Sequence, residues 1–130
     1  MALGQYIAGM GFSNVGLGID HAMALTLSAY YDTPHGVACA MLLPIAMEFN
    51  KPVAAKRLAD VAVAMGVDTE GMDTESAADA AIEAVRKLSF DVGIPATCEG
   101  LTEADLDQLA SERCPMPASR ETPVTRAMRK

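Results

Sequence analysis

Residues 1–50 contain no lysine and no arginine, and their only acids are Asp20, Asp32 and Glu48. A secretory leader needs a basic start, so this absence argues against one. It also marks the first third of the chain as mostly buried, either as a pair of core helices or as a surface covered by another subunit. The apolar run there is interrupted by Gln5, Ser13, Asn14 and Asp20 before it reaches the roughly 18–20 residues that a membrane span requires. Basic residues are scarce overall, 10 against 17 acidic for a net charge of −7. Phosphate backbones are held by clustered Lys and Arg, so a nucleic-acid partner is excluded and an anionic membrane surface disfavoured. Cysteine is equally sparse: Cys39, Cys98 and Cys114 are odd in number and lack paired spacing. They make no disulfide framework and fit a reducing, cytoplasmic setting.

No strand-like alternation, internal repeat or low-complexity tract is visible, which leaves an all-α bundle of about five helices as the most economical architecture. With 130 residues and 51% hydrophobic content, one domain with a single core is expected, over residues 1–113. Residues 114–130 hold Pro115, Pro117 and Pro123 with four basic residues against one acidic, and read as a poorly ordered tail.

Periodicity places the helices. Residues 5–31 favour helix, although Gly9, Gly11, Gly16 and Gly18 suggest close backbone approach to another helix or a ligand. The order G-x-G-x-x-G is absent, because Asn14 stands where the third glycine belongs; this excludes a dinucleotide fingerprint. Thr33 and Pro34 suit the cap and first position of a helix over 34–49, which Pro44 should kink. Pro52 restarts the chain as a helix that Gly66 closes. Ala78, Ile82, Val85, Leu88 and Val92 predict a helix over 75–92, and Thr102 with Asp105 forms a capping box for a short last one.

The chain's two histidines, His21 and His35, lie 14 residues apart in this weakly charged third. Each suits either a hydrogen-bonded core position or a metal ligand. His35 falls in the first turn of its helix, and Cys39 follows on the same face at i, i+4. Asp20 and Asp32 are close in sequence. Histidine with thiolate or carboxylate is a ligand set that zinc or ferrous iron accepts. Cys39 serves equally as a small buried residue, and Asp20, adjacent to His21, points about 100° away from it on a helix.

The segments AGMGFSNVGLGIDHAMA (residues 8–24), YYDTPHGVACAMLLP (30–44) and MEFN (47–50) closely resemble the metal-binding core of the iron-containing alcohol dehydrogenase family, in its lactaldehyde and 1,2-propanediol reductase branch. VAMGV and VGIP extend the likeness to about residue 95. The resemblance implies a helical domain that follows an NAD-binding α/β domain, and a divalent ion held by one aspartate and three histidines. Two of those four ligands would lie upstream of the segments seen here, and the other two match His21 and His35. Leu25 stands where the family usually has a second histidine, implicated in proton relay. Cys39 stands for the asparagine of PHGxxNA, and Asp20 for a residue that is typically apolar.

Together these readings imply a helical fragment without the fold that holds a nicotinamide, hence no NAD, with one divalent ion, zinc or iron, on an incomplete ligand set. Water on such an ion attacks esters. The leading expectation is accordingly a hydrolase of activated esters or phosphate triesters. Its metal candidates are His21, His35, Asp20, Asp32 and Cys39, and its apolar pocket is expected from Met10, Phe12, Leu25 and Tyr31. The alternatives are a non-catalytic metal-binding fragment, and an iron-dependent alcohol dehydrogenase that borrows a nucleotide-binding domain. The surface left by a missing domain should drive association into a homodimer or larger oligomer.

Overall fold

The computed structural model describes residues 1–111, so the tail expected over 114–130 lies outside them. Among the described residues the chain is helical without strands: α1 (Ala2–Val15), α2 (Ile19–Tyr31), α3 (His35–Ala64), α4 (Thr74–Asp91), a 3-10 turn (Glu103–Asp105) and α5 (Leu106–Ser111). The expectation of an all-α chain of about five helices holds. The boundaries of the first three differ.

The segment 5–31 divides, because Gly16 takes φ 80° and, with extended Gly18 capping α2, turns the chain out of the helical path. In the opposite sense, the two helices expected over 34–65 are one, with Pro44 and Pro52 inside α3. An interior proline removes a backbone bond and costs roughly 3 kcal/mol. Packing along the whole of α3 outweighs that cost. Its N-terminal half buries Ala38 against Ala24 and Leu27 of α2. From Met47 onward it buries Met47, Leu58 and Ala62 against Ala78, Ala81, Ile82 and Val85 of α4. Pro44 is itself buried. By length and composition α3 could cross a membrane, yet in its middle Glu48 pairs with Arg86 and Lys51 with Asp79 and Glu75, all on α4. These contacts make α3 the spine of the helical body.

Local chemistry sets the ends. Asp73 caps α4, its Oδ1 accepting the Ser76 N–H at 2.7 Å. Gly66 at φ 82° closes α3: its N–H donates to the Val63 carbonyl and that of Val67 to the Ala62 carbonyl, both at 3.0 Å, the paired bonds of a Schellman ending. Thr102 and Asp105 form the expected capping box, here opening the 3-10 turn. Thr33 is no cap: Pro34 precedes α3 without a side-chain bond, and the Thr33 hydroxyl lies 3.5 Å from both the Tyr31 carbonyl and Cys98 Sγ.

The first third is not mostly buried. Within α1, Leu3, Tyr6, Ile7, Met10 and Phe12 are all exposed. An apolar sequence signals a surface that avoids water, and the described residues do not supply its cover. The helix meets the body near its C-terminal end, where the Phe12 ring lies 6.4 Å from that of His21.

Candidate metal centre

Two helix starts build the site. The Gly16–Gly18 break sets Asp20 and His21 in the first turn of α2, and His35 is the first residue of α3. His21 precedes the end of α2 by ten residues, about 15 Å of axial rise. Asp32 in the left-handed region (φ 50°) and extended Pro34 then return the chain, so that the two first turns meet. The rings of His21 and His35 stand edge to face with centroids 5.1 Å apart.

Cys39, one turn along α3, completes a group: one ligand atom each from His21, His35 and Cys39 lies within 4.8 Å of the others, and Cys39 Sγ is 3.6 Å from His35 Nε2. His35 is exposed, while His21 and Cys39 are half-buried. Asp20 flanks the group, with Oδ2 3.8 Å from His21 Nδ1. Burial pushes the Asp20 carboxyl above the ordinary carboxylate value, and the two histidines and the Cys39 thiol partly offset this. Burial, and then the Asp20 carboxylate, push the Cys39 thiol up. Asp20 Oδ1 is buried without a hydrogen-bond partner. A divalent ion fits this donor set: two imidazoles and a sulfur within reach of one point, beside a carboxylate with an unsatisfied buried oxygen.

The other expected residues are dispersed. Asp32 is an exposed cap of α2 outside the group. Met10 and Phe12 line a shallow, open groove along α1 with Tyr6 and Gly9, in which neither Leu25 nor Tyr31 takes part. Leu25 is 44% exposed, one turn after His21. Tyr31 packs with Leu101 and Leu109 against the α2–α3 core, and its hydroxyl bonds Asp105. That link joins residues 74 positions apart, and no local pattern in the sequence announces it.

Among the described residues, the His21, His35 and Cys39 group sits where two helix starts converge, as a candidate metal site in a helical body. Residues 1–125 match the Fe-containing alcohol dehydrogenase family, C-terminal part, and the chain belongs to that family. It is 54% identical over 112 residues to the lactaldehyde reductase of Escherichia coli K12, covering 85% of this chain and 29% of the relative. To the 1,3-propanediol dehydrogenase of Citrobacter freundii it is 45% identical, with the same coverage. Among solved structures, an alcohol dehydrogenase from Oenococcus oeni superposes with a TM-score of 0.76 at 47% identity, over 79% of this chain and 27% of that one. The chain thus spans less than a third of the length of these relatives.

The hydrolase expectation, phosphate triesters included, is overturned here. The relatives are by name reductases and dehydrogenases. Its physical premise was that an incomplete ligand set leaves water on the ion. The chain matches under a third of each relative, so the number of ligands found on it carries no information about hydrolysis.

Proposed function

We propose that this chain supplies the metal-binding helices of an iron-dependent alcohol dehydrogenase that interconverts a small alcohol or diol with its aldehyde. The observation that carries the reading is the meeting of His21 and His35, rings 5.1 Å apart, in a chain of the iron-containing alcohol dehydrogenase family. The hydride would be exchanged with a nicotinamide held by residues outside the described helices, since a dinucleotide fold needs a strand–turn–helix unit.

His21 and His35 hold the ion, and Asp20 beside His21 Nδ1 orients that imidazole. When bound, the ion acts as a Lewis acid on the substrate oxygen. Phe12, next to His21, and Leu25, one turn beyond it, keep the approach apolar and limit water. Leu25 carries no titratable group, so a proton leaving the alcohol needs a different acceptor from the histidine usual at that position. We further propose that the exposed apolar side of α1 is covered in the assembled enzyme, a homo-oligomer working in the cytoplasm.

A chimera tests the reading: this chain replaces the matching 112 residues of the Escherichia coli lactaldehyde reductase. Iron-dependent reduction of lactaldehyde by NADH should persist, and His21→Ala or His35→Ala should lower it by at least roughly 100-fold. A chimera whose activity is untouched by both substitutions contradicts the proposal.

A further inference from the structure

We infer that Cys39 is a third protein ligand beside His21 and His35, giving a two-histidine, one-thiolate centre that favours zinc over ferrous iron. The inference rests on the reading that the two histidines share an ion. The argument is geometric first. With zinc–sulfur about 2.3 Å, zinc–nitrogen about 2.0–2.1 Å and tetrahedral angles, the sulfur–nitrogen edge of a site is about 3.6 Å. Cys39 Sγ and His35 Nε2 are 3.6 Å apart. The i, i+4 spacing fixes the pair on one face of α3, so the edge exists before an ion arrives. His21 comes from a different helix, with its ligand atom within 4.8 Å of both, and supplies the third corner.

Asp20 supplies a countercharge beside the group. A dication held by a thiolate carries one remaining positive charge, and Asp20, 3.8 Å from His21 Nδ1 and with Oδ1 buried and unpartnered, is placed to balance it. Cys39 is half-buried, which shields a metal–sulfur bond from water on the protein side. Zinc stands above ferrous iron in the general affinity order of divalent ions, and thiolate is among the ligands that select zinc.

Cobalt(II) reads the sulfur directly, because a cobalt–thiolate bond adds an intense near-ultraviolet charge-transfer band to the visible d–d bands that any low-coordinate cobalt site shows. The purified chain should bind Co(II) with both sets of bands. Cys39→Ala and Cys39→Ser should lose the charge-transfer band but keep weaker d–d bands and the helical circular dichroism. In competition, both variants should lose zinc affinity by at least roughly tenfold relative to ferrous iron. Visible bands without charge transfer in the unmodified chain would overturn the sulfur ligand and leave the histidine site standing. No cobalt uptake by the folded chain would overturn both.

Discussion

Asp73 and Asp105 each hold a helix start with a carboxylate, and both carboxyls lie below the ordinary value of about 4. For Asp73 the cause is the Ser76 N–H it accepts; for Asp105 it is Thr102, with Tyr31 adding to it. A carboxyl lowered on folding contributes stability that is fully present above its unfolded value and lost as pH falls through its folded one. Thermal melts followed by circular dichroism should thus show Asp73→Ala lowering Tm near neutral pH, with the gap to the unmodified chain closing in acid. A gap that persists at about pH 2 would contradict the capping role. In the core, Ile82 is 2% exposed among alanines that cannot extend into a void, so Ile82→Ala should cost about 2–4 kcal/mol in denaturant unfolding. Leu88→Ala, at a half-exposed position on the same helix, should stay within about 0.5 kcal/mol.

At the scale of elements, Gly66 takes a left-handed conformation with open space around it. Gly66→Ala should therefore lower stability by about 1 kcal/mol through backbone strain alone. Gly11, inside α1 and equally unobstructed, should behave oppositely: Gly11→Ala should raise helicity by circular dichroism, because alanine is favoured in a helix interior by roughly 1 kcal/mol. These two glycines show what a sequence does and does not disclose. The apolar spacing of α4 and the terminal role of Gly66 are local signals and were legible. The continuity of α3 was not, since Pro44 and Pro52 are local breakers overruled by tertiary packing on α2 and α4. The site was legible in part: His35 and Cys39 share a helical face by spacing alone. The approach of His21 depends on a left-handed Asp32, and the Tyr31–Asp105 link depends on the whole fold.

For the molecule as a whole, the apolar faces divide into two kinds. The α3–α4 and α2–α3 faces are closed by alanines interleaved with Leu27, Met47, Leu58, Ile82 and Val85, whereas α1 presents Leu3, Tyr6 and Ile7 to solvent, each more than half exposed. Exposed patches of this sort drive association, so size-exclusion chromatography with light scattering should give a dimer or larger species. A lone monomer at micromolar concentration would contradict the proposed oligomer. The central claim, that two helix starts bring His21 and His35 onto one ion, is tested most directly by anaerobic equilibrium dialysis of the purified chain with zinc and, separately, with ferrous iron. One ion per chain should be retained by the unmodified protein and none by the His21→Ala, His35→Ala double variant at equal helicity. Uptake that the double substitution leaves unchanged would contradict the account.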